Sequence, residues 1–93
     1  MEFEWDENMA QINRRKHGVS FEEASTVFED IDALQIFDPD HSESEDRFIL
    51  LGMSSVLRIL VVCHCYRAND SKIRIISARK ATRNESSTYE RRK

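Results

Sequence analysis

The side chains in this chain that could do chemistry are mostly arginines, with a few carboxylates and imidazoles beside them. Arg58, Arg67, Arg74 and Arg79 fall on or next to segments that read as strands, and Glu45 and Arg47 stand at the start of another. Residues two apart on a strand share a face, so Arg67 lies on the side of Cys63 and Cys65, and Arg58 and His64 share the other. The same alternation puts Arg79 with Ile73, Ile75 and Ser77, opposite Arg74. Where three such strands meet, several guanidinium groups and one carboxylate converge. That grouping suits metal-independent cleavage of RNA. The 2′-hydroxyl attacks its own 3′-phosphate, a base takes the proton, and cations hold the charge that builds on the phosphorane. Glu45 and His64 are the candidate bases. Plainer readings stand beside these: a surface ion pair for Glu45 and Arg47, a solvated edge charge for Arg74, and a satisfied core histidine for His64.

Other chemistries are excluded by what the chain lacks. It has no glycine-rich phosphate loop, no H-E-x-x-H and no paired Cys-x-x-Cys; Gly18 and Gly52 are its only glycines. Cys63 and Cys65, spaced roughly 6–7 Å along a strand, are too far apart for a comfortable disulfide. They read as small core thiols, so neither a metal nor a cofactor is expected.

These side chains must be positioned by elements that the sequence punctuates clearly. Glu2-Phe3-Glu4-Trp5 alternates as a short edge strand. Asp6 caps a helix carrying Met9, Ile12 and Lys16 at helical spacing, which ends on a basic turn and on Gly18. Ser20 and Glu23 form a capping box for a second helix, whose stripe Phe21, Ala24, Val27, Phe28 and Ile31 spans about three turns. Strands follow at Ala33–Phe37, Arg47–Leu51, Leu57–Tyr66 and Lys72–Arg79, with an acidic loop from Asp38 to Asp46 and turn chemistry at Ala68–Ser71. Thr82 and Glu85 open a C-terminal helix that Asn84, Ser86, Ser87 and Thr88 make intrinsically weak. The order is βααββββα. It predicts an α+β fold in one domain spanning residues 1–93, with helices packed on a mainly antiparallel sheet.

The net charge of −3 conceals a split: −11 over residues 1–46 and +8 over residues 47–93. Such asymmetry predicts separate faces for separate partners, or else two halves that neutralise each other within one domain. No run approaches the roughly 18 apolar residues of a membrane span, and the acidic start is unlike a secretory signal, so a cytoplasmic protein without membrane contact is expected.

Read in order, Trp5-Asp6-Glu7, Lys16-His17-Gly18-Val19-Ser20-Phe21-Glu22-Glu23-Ala24, Glu45-Asp46-Arg47-Phe48, Arg74-Ile75-Ile76-Ser77-Ala78-Arg79, Glu85 and Tyr89-Glu90 resemble the BrnT family of bacterial toxins. The resemblance covers nearly the whole chain. It implies a RelE-like fold, with two N-terminal helices and a C-terminal helix on the sheet. It also implies an RNA-cleaving activity that halts translation. The implied partner is a BrnA-type ribbon-helix-helix antitoxin, with which the toxin represses its own operon and through which it reaches operator DNA. Carried over by position, the polar motif residues fall on Lys16, Glu45, Arg47, Arg67 and Arg79. On this reading Glu45 is the base, Arg67 and Arg79 hold phosphate, and Lys16 binds RNA or assists the leaving oxygen. Arg47, His64, Arg74 and Lys80 are further substrate-binding candidates. Two departures stand out: a serine-rich C-terminal helix where arginines are common, and Val56-Leu57 in a turn that often holds glycine. They keep open an alternative, a non-catalytic protein whose cationic face only docks an antitoxin. A direct DNA-binding regulator would need a reading helix, and none is recognisable.

Overall fold

Asp6 and Ser20 act as the caps that their positions suggest. The Asp6 carboxylate accepts from Met9 N at 3.0 Å and the Ser20 hydroxyl from Glu23 N at 3.0 Å, starting α1 (Glu7–His17) and α2 (Phe21–Thr26). Gly18, at φ 70°, closes α1 by donating its N–H to Arg14 O. In this computed structural model, which describes residues 1–41 and 45–92, five strands follow the order β1-β5-β4-β3-β2. They are β1 (Glu2–Glu4), β2 (Leu34–Asp38), β3 (Arg47–Met53), β4 (Ile59–Arg67) and β5 (Lys72–Lys80), with α3 (Arg83–Arg92) last. β2 to β5 form an antiparallel meander, and β1 joins β5 in parallel. Positions 42–44 of the expected acidic loop lie outside the described residues.

The two sheet faces have different fates. One packs against α1 and α2, where Phe21, Ala24 and Val27 meet Leu50, Leu60, Val62, Ile73, Ile75 and Ala78. Trp5 joins this core edge-on to Phe21, and Phe3 meets Phe28 with tilted rings. The opposite face is covered at one end only, where Tyr89 of α3 sits on Leu51 and Val61. The Tyr89 hydroxyl anchors the helix by donating to Asp30 at 2.6 Å.

Two expectations need correcting. The second helix stops well before Ile31, which is 97% exposed; a single 3-10 turn, Val27–Glu29, replaces its last part. Ser25 and Thr26 donate their hydroxyls to the carbonyls of Glu22 and Glu23, competing with the helical ladder and tightening it. The Asp30 carboxylate then accepts from Asp32 N and Met53 N, binding the chain to β3 instead of extending the helix. The close approach there falls at Gly52, where a Cβ would lie 2.8 Å from Ala33 Cβ.

The second correction concerns β5. Its ladder pairs Cys63 with Ser77 but His64 with Ile75, leaving Ile76 as an extra residue. This bulge resets the alternation. Ile73, Ile75 and Ala78 therefore all face the helices, and Arg74, Ser77 and Arg79 all face the other side. Arg74 and Arg79 share a face after all.

The same strand has a half-open edge, because β1 pairs only with Lys72–Arg74. Asn13 of α1 fills the gap. Its side-chain amide accepts from Ala78 N at 3.1 Å and donates to Ala78 O at 2.8 Å and Val19 O at 3.0 Å, much as a neighbouring strand would. The helix is thereby docked against the half of β5 that carries Arg79.

Candidate functional site

Where α3 does not cover it, the sheet's second face forms a groove of about 400 Å³. Its floor is Ile49, Val61, Cys63 and Ser77, neighbours across β3, β4 and β5. Arg47 stands toward one end, directly across from Asp38 on the neighbouring strand, and Arg79 toward the other. The lip on the β5 side is made by the bulged Ile76 and by His17 from the last turn of α1. By register, four positions of β4 separate the rows of Arg47 and Arg79, or roughly 13 Å at the usual strand rise. Two long guanidinium side chains can reach toward each other over that distance.

Arg79 is held by a carboxylate. Its Nη1 and Nη2 donate to the two oxygens of Glu85 at 2.8 and 2.9 Å, and Glu85 also accepts from Thr82 N at 2.8 Å. Thr82 in turn accepts from Glu85 N, completing the capping box that opens α3. The bond from Arg79 holds the Glu85 carboxyl down at about 2, against the opposing effect of burial. Arg79 is thus a pre-aimed cation, with 41% of its side chain still exposed. Burial pushes the Cys63 thiol up, against the pull of Arg47, so this cysteine stays protonated and is a poor nucleophile.

The structure divides the residues singled out from the sequence. Arg47 and Arg79 both line the groove, at opposite ends of it. Glu45 pairs with Arg67 at 3.1 Å. This pair lies at the far end of β4, six residues beyond the row of Arg79 and therefore roughly 20 Å along the strand. Arg74 is bound to Glu4 at 2.9 Å. Lys80 aligns with Leu60, on the helix-covered side, and is exposed. Lys16 is exposed on α1, beside a shallow depression that it shares with His17, Ile76 and Ser77.

His64 lies on the side of the sheet away from the groove. It is fully buried on the helix face, among Phe28, Phe48 and Tyr66. Its ring nitrogens lie 3.2 Å from Val62 O and 3.1 Å from Gln35 Oε1, and burial lowers its affinity for a proton. The satisfied core histidine is the reading that holds.

Groove residues absent from the sequence-based selection are His17, Asp38, Cys63 and Ser77. His17 sits inside the quoted Lys16-His17-Gly18 motif, but at the sequence level it reads as part of a basic helix terminus. Its position over the sheet edge depends on the Ile76 bulge and the Asn13 clamp, which no local pattern announces. Among the described residues no group of three or more His, Cys, Asp or Glu is arranged to hold a metal ion. Among them, too, no helix is long and apolar enough to cross a membrane.

Part of the charge split is neutralised internally. Glu2, Glu4, Glu23 and Glu45 of the acidic half pair with Lys72, Arg74, Arg58 and Arg67 of the basic half. Glu23 is the most engaged: it takes two bonds from Arg58 and one from Ser54, which ties α2 to the β3–β4 turn.

Residues 5–85 match the family model described as ribonuclease toxin, BrnT, of type II toxin-antitoxin system. Among solved structures, the ribonuclease toxin BrnT of Brucella abortus is similar at 25% sequence identity and a TM-score of 0.65, covering 89% of this chain and 99% of that one. No curated protein matches the sequence.

Proposed function

Since the chain belongs to the BrnT family of ribonuclease toxins of type II toxin-antitoxin systems, we propose that it is a metal-independent endoribonuclease whose reaction takes place in the Arg47–Arg79 groove. A single observation supports this reading most: the bulge at Ile76 turns Arg79 onto the face of Arg47, over one concave floor. A phosphodiester lying there would meet two permanent positive charges. Guanidinium groups match phosphate oxygens in a two-point geometry and stay charged at any physiological pH. Pre-aimed cations of this kind stabilise the doubly charged phosphorane more than the ground state, which lowers the barrier. Arg67, with Glu45 beside it, would hold a phosphate further along the strand, and Lys16 another at the lip.

Cleavage of messenger RNA in the cytoplasm would inhibit translation. The neutralising partner would be a BrnA-type ribbon-helix-helix antitoxin, which binds the operator and brings the toxin with it. Family membership supports an antitoxin; its ribbon-helix-helix class is part of the proposal.

Purified chain, freed of any partner, should cleave single-stranded RNA in the presence of EDTA, leaving 2′,3′-cyclic phosphate and 5′-hydroxyl ends. Arg79→Ala and Arg47→Ala should each lower the rate by about 10²–10³-fold. Failure of the folded wild-type chain to cleave RNA, with no growth arrest on expression alone, would favour the non-catalytic docking protein.

A further inference from the structure

We infer that His17 is the proton-transfer group of this groove, accepting the 2′-hydroxyl proton; the inference rests on the ribonuclease reading above. The case starts from what the other groove residues can do. Arg47 and Arg79 cannot exchange a proton at physiological pH. The Cys63 thiol is held in its protonated form by burial. Asp38 stands across from Arg47, and a carboxylate so placed is a partner for that cation. Imidazole is the side-chain type suited to taking up and releasing protons near neutral pH. His17 is partly exposed at the lip, where a ribose bound over Ser77 would present its hydroxyl.

Its position is fixed from both sides. One helical turn earlier, Asn13 clamps α1 to Ala78, the residue before Arg79. Immediately after it, Gly18 closes the helix onto Arg14 O, and Arg58 donates to Gly18 O at 3.2 Å. The lip and the phosphate-holding arginine are thus tied to the same stretch of β5. Asp38, Arg47, Cys63 and Arg79 line the same groove as His17, and Arg14, Arg15 and Lys16 precede it in the last turn of its own helix.

In the step itself, a neutral imidazole nitrogen takes the proton of the 2′-hydroxyl as the O2′–P bond forms. The P–O5′ bond breaks, the departing 5′-oxygen takes a proton from water, and the imidazolium returns its own proton to solvent. The products are a 2′,3′-cyclic phosphate and a 5′-hydroxyl, and no co-reactant is consumed.

The test compares wild type with His17→Gln and His17→Ala on a mixed-sequence single-stranded RNA in EDTA. Both variants should lose about 10²–10⁴-fold in rate. Their affinity for the matching 2′-O-methyl oligonucleotide, which cannot be cleaved, should stay within about two-fold. The pH profile of the rate should differ between wild type and His17→Gln, and added free imidazole should restore part of the activity of His17→Ala. Wild-type rates in either variant would overturn the inference. A reduced rate with an unchanged pH profile and no imidazole rescue would do so too, by leaving His17 only a structural role. An inactive wild-type chain would instead remove the ribonuclease reading, and the inference with it.

Discussion

Arg79 and Glu85 meet in a two-point ion pair, at 2.8 and 2.9 Å, that joins the last strand to the helix following it. The contact serves the groove and the fold together. It aims the guanidinium over the sheet, and it supplies the carboxylate that caps α3.

Glu85 should therefore show its presence in acid. Its carboxyl lies at about 2 in the folded chain, against an ordinary 4.5, first because of the Arg79 bond. A folded value below the unfolded one stabilises fully above the unfolded value and fades as pH falls toward the folded one. Stability from this group should thus be complete above pH 4.5 and decline down to pH 2. Thermal unfolding of Glu85→Gln should start lower near neutral pH and lose less across that window. The same variant should cleave RNA more slowly, because Arg79 is no longer held.

His64 should govern a higher window. Burial lowers its folded value below the ordinary 6.5, so the unfolded chain binds more protons and stability drops as pH falls below 6.5. Denaturation between about pH 7 and pH 5 should show this slope, and His64→Gln should flatten it. RNA cleavage by wild type should not follow this titration, since His64 is on the far side of the sheet from the groove.

Asn13→Ala should cost about 2–4 kcal/mol, because it strips partners from Ala78 N, Ala78 O and Val19 O at a buried edge. Hydrogen exchange at the Ala78 amide should accelerate more than at Ile73, which β1 still covers. Asn13→Asp should fare no better. A carboxylate can accept from Ala78 N but cannot donate to either carbonyl.

Leu57 should be improvable. It sits at φ 64° in the β3–β4 turn and is 79% exposed, so it gains little packing for a left-handed conformation. Leu57→Gly should raise stability by about 1 kcal/mol in chemical denaturation, with no change in RNA cleavage. Glycine adopts this left-handed backbone without strain.

Element types, their order and most boundaries were legible because caps, breakers and periodicity are local. Asp6, Gly18, Ser20 and the Thr82–Glu85 box each act within one turn of the chain, and the meander follows from short turns. The ordered motifs around Lys16 to Ala24 and Arg74 to Arg79 were likewise enough to point to the family. The reach of α2 was not legible, since Asp30 ends it through a bond to Met53 N, 23 residues away. Nor was the composition of the groove. Alternation assigns faces only while a ladder stays regular, and one extra residue at Ile76 reversed every assignment beyond it. That reversal put Arg79 on the face of Arg47, four β4 positions away, while the register placed Arg67 two positions beyond Arg47 at the end opposite Arg79. The charge split was plain in the sequence, but whether it made two faces or a set of ion pairs depended on contacts between distant segments. Pairing of Glu4 with Arg74, Glu23 with Arg58 and Glu45 with Arg67 is decided only when strands and helices are docked.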